Sequence, residues 1–184
     1  RPTVAEWTAG IGTPLRIQLA AWAANPDDVI TLVDRYREFQ SRELERLTTI
    51  YPGVMDLLTW AKSRGHAIGL VTSKGHGMTA RSLAHVGLAT MFDVEVTVES
   101  TTRHKPLADP VVYALEQLQI SHEHALFVGD STHDMHSGKA AGVSTAAATW
   151  GPFSREELET AHPDHWLNSM GDLQSIILDL ETRA

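Results

Sequence analysis

The sequence LFVGDSTHDMHSGKAAG, residues 126–142, decides how the rest of the chain is interpreted. Its first four residues are apolar or small and predict a buried strand that runs directly into Asp130. A second carboxylate, Asp134, follows about one helical turn later. Aspartate often caps the helix after a strand, but a cap does not require two carboxylates and a flanking glycine. We therefore interpret Asp130 and Asp134 as candidate functional residues.

On both sides of this stretch, short apolar segments alternate with helical patterns. Alternating strands and helices are typical of parallel βαβ units, so the predicted fold class is α/β with an open parallel sheet. Ligands of such sheets bind at the carboxyl ends of the strands. We predict strands over 66–71, 93–98, 125–128, 143–148 and 165–167, and helices over 55–64, 78–86, 109–118, 135–141 and 173–180.

Residues 1–48 carry helical patterns and no strand candidate, which separates them from the rest of the chain. Asn25 and Pro26, followed by two aspartates, predict the start of a long helix. We therefore divide the chain into a helical domain, 1–48, and an α/β core, 49–184, with a hinge at Tyr51-Pro52-Gly53. The aromatic residues expected in the core of the helical domain are Trp7, Trp22, Tyr36 and Phe39.

The composition disfavours some partners and excludes sites that need cysteine. The 184 residues carry a net charge of −8, which disfavours a nucleic-acid partner. No apolar run is long enough to span a membrane, so a membrane partner is not expected. The chain has no cysteine, which excludes disulfides and thiolate metal sites and fits a cytoplasmic protein. The sequence does not decide whether the protein forms a homodimer.

Polar side chains follow three of the predicted strands. Thr72 and Ser73 end the first strand and offer hydroxyl and N–H groups to an anion. Lys105 lies in the loop after the second strand, and Asp130 ends the third with a hard oxygen ligand suited to Mg²⁺. Taken alone, the hydroxyl residues are typical helix caps and the lysine is typical of a surface loop. Together, an anion cradle, a cation and a metal carboxylate favour phosphoryl transfer, because its catalysis is mainly positioning and charge neutralisation.

Three segments carry a resemblance to a known family. GLVTSK (69–74), HKPLADP (104–110) and FVGDSTHD (127–134) resemble motifs two, three and four of the haloacid dehalogenase superfamily. They look closest to its phosphoglycolate phosphatase-like group, which has a small helical cap. The resemblance implies a Rossmann-like three-layer core with a parallel sheet, for which residues 1–48 supply part of the cap. It also implies an Mg²⁺-dependent phosphoric monoester hydrolase that acts on a small, phosphoglycolate-like metabolite.

The same resemblance implies a role for each candidate residue. Thr72 would hydrogen-bond the phosphoryl group, with Ser73 beside it. Lys105 would neutralise the phosphoryl oxygens and the nucleophile. Asp130 would bind Mg²⁺, and Asp134 would support it, either as a direct ligand or by holding a water molecule or Lys105. Cap residues near Gly10 to Leu15 would face the site and select the substrate, but the sequence does not say which side chain does so.

One departure from the family is large. The first motif of the family is a strand followed by an Asp-x-Asp-Gly-Thr turn, which supplies the nucleophile and the general acid and base, and no such element exists in this chain. We expect that it precedes Arg1 in the natural protein and that residues 1–184 alone are inactive. Two alternatives stay open. One is a pyrophosphatase or phosphomutase of the same superfamily, and the other is a non-catalytic binding protein that has lost the motif.

Overall fold

Three helices occupy residues 4–47 in the computed structural model, which describes residues 2–182. They are α1 (Val4–Ala9), α2 (Leu15–Ala20) and α3 (Pro26–Leu47). The long helix α3 begins where the sequence predicts. The Asn25 side chain accepts a hydrogen bond from the Asp28 N–H at 3.0 Å, and Pro26 lies in the first turn, where its missing N–H is not needed.

This helical region has an apolar cluster of its own, built around Trp7. The Trp7 ring stacks on Trp22 at a centroid distance of 5.5 Å and lies 5.6 Å from the Tyr36 ring. The prediction that Phe39 belongs to this cluster is wrong, because its side chain is 47 % exposed. The helices α1 and α2 have six residues each and cannot cover all 22 residues of α3. The Arg42 guanidinium instead lies 5.6 Å from the centre of the Phe39 ring.

Beyond residue 48 the chain alternates between helices and parallel strands, so the α/β fold class is confirmed. Each predicted strand has a counterpart in the structure. The strands are β1 (Gly69–Val71), β2 (Val94–Val96), β3 (Leu126–Gly129), β4 (Ser144–Ala148) and β5 (His165–Leu167). The helices are α4 (Val54–Ser63), α5 (His76–His85), α6 (Asp109–Leu118), α7 (Thr132–Ala140), α8 (Arg155–Glu159) and α9 (Met170–Glu181), with a 3₁₀ turn at His122–His124. In the described part of the chain, no helix is long and apolar enough to cross a membrane.

The helix α8 has no counterpart among the predicted elements. Five residues are too few to display the helical period. The start of α8 nevertheless carries a local signal. Ser154 and Glu157 form a capping box, in which each side chain accepts a hydrogen bond from the backbone N–H of the other residue.

The first predicted strand is shorter than expected for a specific reason. The Ile68 N–H donates to the Asp93 carboxylate at 2.8 Å rather than to a neighbouring strand. The β1–β2 ladder therefore begins at Gly69, which pairs with Val94. The Asp93 side chain thus replaces a backbone acceptor at Ile68, while the Ile68 carbonyl oxygen accepts the Asp93 N–H at 2.7 Å.

The strands form two parallel sheets. β1 pairs with β2, and the second sheet has the order β3-β4-β5. Within residues 2–182, one edge of β1 and one edge of β3 therefore have no strand partner. Val128 on β3 is 37 % exposed although it is apolar. The helices α6 and α7 contact each other while packing against β1–β2 and β3–β4 respectively, so the two sheets belong to one core.

The helix α7 positions the site because it packs closely on β3 and β4. Gly138 permits the close approach, since a Cβ atom there would lie 2.7 Å from the Thr145 Cγ2 atom. The N-terminus of α7 is thereby fixed at the carboxyl ends of the strands. Met135 on the same helix is fully buried in an apolar cluster, called the core cluster below, with Ala147, Phe153, Leu158 and Ala161.

Candidate active site

A buried ion pair joins two of the predicted site residues. Lys105, in the loop after β2, places its Nζ atom 2.7 Å from the Oδ1 atom of Asp134 on α7. Both side chains are only 8 % exposed. A buried ammonium group requires a charged partner, because its desolvation is otherwise strongly unfavourable. The interpretation of Lys105 as a solvated surface lysine is therefore excluded.

The second carboxylate oxygen of Asp134 is engaged as well. Its Oδ2 atom accepts hydrogen bonds from the Ser131 hydroxyl at 2.6 Å and from the N–H groups of Ser131 and Asp130 at 3.2 and 3.3 Å. The Ser131 hydroxyl in turn accepts the Asp134 N–H at 3.1 Å, which completes a capping box at the start of α7. Asp134 is thus a rigid acceptor that fixes the Lys105 ammonium.

Asp130 lies where β3 ends, close to this ion pair. Burial raises the pKa of its carboxyl group, and the Asp134 carboxylate raises it further, against a smaller opposite effect of Lys105. The loop after β4 closes over this side chain, since a Cβ atom at Gly151 would lie 2.3 Å from the Asp130 Cβ atom. A bound cation would stabilise the ionised form of Asp130, because it supplies a positive partner in this half-buried place.

The end of β1 meets the helical region. The Thr72 N–H donates to the Val96 carbonyl oxygen at 2.8 Å, so Thr72 continues the β1–β2 ladder. The hydroxyl of the next residue, Ser73, donates to the Gly12 carbonyl oxygen at 2.5 Å. A Cβ atom at Gly12 would lie 2.9 Å from the Ser131 Oγ atom. Gly12 therefore lies between the ends of β1 and β3. The predicted residues at these two strand ends lie at the same edge of the core.

The carboxylates of this site suit Mg²⁺, which binds to one or two carboxylates and keeps several water ligands. Asp130 offers such a carboxylate at a half-buried strand end. Across residues 2–182, no group of three or more histidine, aspartate or glutamate side chains is arranged to hold a metal ion. The other ligands would be water or a group from outside these residues. Both carboxylate oxygens of Asp134 already accept hydrogen bonds. Direct coordination of a metal by Asp134 therefore stays a prediction.

Two residues that shape the site, Ser131 and Gly151, are absent from the sequence-based prediction. Gly12 lies in the segment 10–15, which the family resemblance places facing the site, but the sequence does not single out this residue. Ser131 had a usable signal, because Ser-x-x-Asp at a helix start is close to the capping-box pattern. The close approach of another segment to the backbone of Gly12 and of Gly151 has no local signal, because it appears only in three dimensions.

Removing the Lys105 charge should destabilise the fold. We expect Lys105→Met to lower the free energy of unfolding by about 3–5 kcal/mol, because Asp134 would remain buried without its partner. The double variant Lys105→Met/Asp134→Asn should recover most of this loss. Urea unfolding followed by tryptophan fluorescence measures both effects.

A matched control for this experiment is Lys62→Met. Lys62 pairs with Asp93 at 2.9 Å, but their side chains are 33 and 41 % exposed. The control should change the free energy of unfolding by less than about 1 kcal/mol. If Lys105→Met costs no more than Lys62→Met, the Lys105–Asp134 pair is not buried in solution.

Known proteins resemble this chain along most of its length. A model of the haloacid dehalogenase-like hydrolase family matches residues 1–148. The pyrophosphatase PpaX of Bacillus pumilus is 36 % identical over 84 % of this chain and 72 % of its own length. The pyrophosphatase PpaX of Anoxybacillus flavithermus is 34 % identical over 92 % of this chain and 78 % of its own length.

Solved structures resemble the chain in fold. A "predicted phosphoglycolate phosphatase" from Haemophilus somnus aligns with a TM-score of 0.85 at 21 % identity, and the alignment covers 96 % of this chain and 83 % of that protein. The β-phosphoglucomutase of Clostridium difficile aligns with a TM-score of 0.83 at 14 % identity, over 99 % and 83 % of the two chains. At these identities the two structures establish a shared fold and nothing about substrate.

Proposed function

This chain belongs to the haloacid dehalogenase-like hydrolase family, and we propose that it hydrolyses a small phosphorylated substrate with the help of Mg²⁺. The observation that carries the proposal is the buried Lys105–Asp134 pair beside the half-buried Asp130. A fixed ammonium group next to a half-buried carboxylate forms a site for an anion and a divalent metal together. A phosphoryl group accompanied by Mg²⁺ satisfies both.

In this proposal each residue has a distinct task. Lys105 neutralises phosphoryl oxygens while Asp134 holds its ammonium group in position. Thr72 and the N–H groups at the end of β1 hydrogen-bond the same phosphoryl group. Asp130 holds Mg²⁺, which when bound contributes charge neutralisation at the phosphoryl oxygens. None of these groups is a suitable nucleophile, because Lys105 is paired as an ammonium and Asp130 serves the metal.

We assign the nucleophile to a strand that pairs between β1 and β3 and lies outside residues 1–184. Within residues 2–182, each of these two strands has one edge without a strand partner, and such edges leave backbone N–H and C=O groups unsatisfied. The ends of β1 and β3 lie on either side of Gly12, so an added parallel strand would end near Ser73 and Ser131. The family resemblance implies that this strand carries an aspartate. Its carboxylate would attack the phosphorus atom, and the bond to the leaving oxygen would break as the general acid of the first motif protonates that oxygen. Water would then hydrolyse the aspartyl phosphate, which would release inorganic phosphate and regenerate the carboxylate.

Pyrophosphate is the favoured substrate. Relatives that are 34 to 36 % identical to this chain are named pyrophosphatases, whereas the likeness to a phosphoglycolate phosphatase is at 21 % identity. The term "extended chain" is used below for residues 1–184 joined to the natural upstream sequence that carries the first motif. With Mg²⁺, the extended chain should hydrolyse pyrophosphate with a kcat/KM at least about tenfold higher than that for phosphoglycolate, a difference of about 1.4 kcal/mol.

Release of inorganic phosphate from a panel of phosphorylated metabolites tests this preference. Faster hydrolysis of phosphoglycolate would support the assignment as a hydrolase but would contradict pyrophosphate as its preferred substrate. A folded extended chain that binds Mg²⁺ but hydrolyses no member of the panel would favour the non-catalytic binding protein instead.

A further inference from the structure

The loop Gly10–Thr13 joins α1 to α2 and reaches the site as a preformed unit. The N–H and the hydroxyl of Thr13 both donate to the Gly10 carbonyl oxygen, at 3.2 and 2.7 Å. The side-chain amide of Gln18 donates to the Trp7 carbonyl oxygen at 2.8 Å and braces the loop from α2. These bonds are internal to the helical region, so the loop keeps its shape independently of the core.

Two kinds of contact dock this loop on the core. The Ile11 side chain packs against the core cluster around Met135. Gly12 accepts the Ser73 hydroxyl through its carbonyl oxygen, and it lies so close to Ser131 that a larger residue would require the Ser131 side chain to shift. Gly12 also has φ of +99°, which glycine adopts readily and other residues rarely do. The apolar contact supplies affinity, and the hydrogen bond fixes the orientation.

We propose that the Ser73 hydroxyl is a positioning group that keeps the helical region closed over the site, and that it is not a ligand of the phosphoryl group. A hydroxyl carries one proton, and here that proton is donated to Gly12. Phosphoryl oxygens are acceptors and would compete with Gly12 for it. The Thr72 hydroxyl accepts the Lys74 N–H at 3.2 Å and therefore keeps its own proton for an anion.

This assignment replaces the phosphate-binding role that the sequence predicts for the Ser73 side chain. It leaves the Ser73 N–H available to the anion. It rests on the proposed function for the identity of the anion, but the closure itself does not depend on any activity.

Closure is measured in the extended chain, which contains the strand between β1 and β3. Residues 1–184 have no cysteine, and any upstream cysteine is replaced by serine, so Ala20→Cys on α2 and Glu159→Cys on α8, both at exposed positions, give two specific sites for spin labels. Pulsed electron spin resonance then gives the ratio of open to closed molecules. We expect Ser73→Ala to raise this ratio about two- to tenfold, the equivalent of one hydrogen bond. Ile11→Ala should raise it more than about tenfold, because it truncates a packed side chain.

Matched variants make the closure experiment decisive. Ser73→Thr keeps a hydroxyl and should restore the parental ratio. Thr72→Val changes the adjacent residue, whose side chain is not bonded to the loop, and should leave the ratio unchanged. An unchanged ratio in Ser73→Ala would overturn the proposal.

Anion binding provides the second readout. The Ile11→Ala variant is the background for this measurement, because its helical region is already open. Adding Ser73→Ala to it should change the Kd of inorganic phosphate, measured with Mg²⁺, less than about twofold. Adding Thr72→Val instead should raise that Kd several-fold. A tenfold or larger rise on adding Ser73→Ala would assign the hydroxyl to the anion and overturn the proposal. If no variant binds phosphate, the proposed function fails, and the closure ratios still decide the role of Ser73.

Discussion

Asp130→Asn should lower kcat/KM of the extended chain about a thousandfold and remove its activation by Mg²⁺. The neutral amide retains the shape of the side chain but cannot hold a divalent cation as a carboxylate does. A thousandfold loss corresponds to about 4 kcal/mol, which is within the several kcal/mol that a metal ion contributes to transition-state charge stabilisation. Initial rates over a series of Mg²⁺ concentrations measure both effects. Asp56→Asn, at an exposed position on α4, is the control and should behave as the parent.

The same substitution should stabilise the metal-free protein, which separates a loss of activity from unfolding. Burial and the Asp134 carboxylate raise the pKa of Asp130. An acid whose pKa is higher in the folded than in the unfolded state binds its proton more tightly when folded. Stability is therefore lost as the pH rises from the pKa of Asp130 in the unfolded state through its pKa in the folded state. At neutral pH the ionised carboxylate destabilises the folded protein. Asp130→Asn should raise the urea midpoint, and a lower midpoint would indicate a stabilising partner for this carboxylate.

Elements that local patterns specify could be predicted from the sequence. The helix α6 begins and ends at the predicted residues, 109 and 118, because Asp109-Pro110 is a strong start signal and its apolar face repeats with the helical period. The strand β3 is an apolar run that ends beside Asp130, as predicted. Parallel strands place their carboxyl ends at one edge, which is why candidates distant in sequence were expected at one site.

Features that depend on contacts between distant segments could not be predicted. The start of β1 is set by the Asp93 side chain, which is 25 residues away from Ile68. The sequence around Lys105 is typical of an exposed loop, yet the Lys105 side chain is buried where it pairs with Asp134 on α7. The role of Ser73 depends on Gly12, and only the folded chain brings the two together.

Residues 1–184 alone should hydrolyse neither pyrophosphate nor phosphate esters, whereas the extended chain should hydrolyse at least one of them. Thr72, Lys105 and Asp130 can bind an anion and a metal, but a positioned phosphoryl group without an attacking group does not react. The extended chain should also be more stable to urea, because a strand between β1 and β3 would satisfy their unpaired ladder groups. Both effects have one cause, the addition of the nucleophile-bearing strand.

The most direct measurement is the release of inorganic phosphate by the two chains side by side, with Mg²⁺ or with a chelator, from pyrophosphate, phosphoglycolate and p-nitrophenyl phosphate. We predict hydrolysis only by the extended chain and only with Mg²⁺, and none after the first aspartate of the added motif is replaced by asparagine. Metal-dependent hydrolysis by residues 1–184 at a comparable rate would contradict the assignment of the nucleophile. It would direct attention to three carboxylates within this chain, Asp27, Asp28 and Asp134.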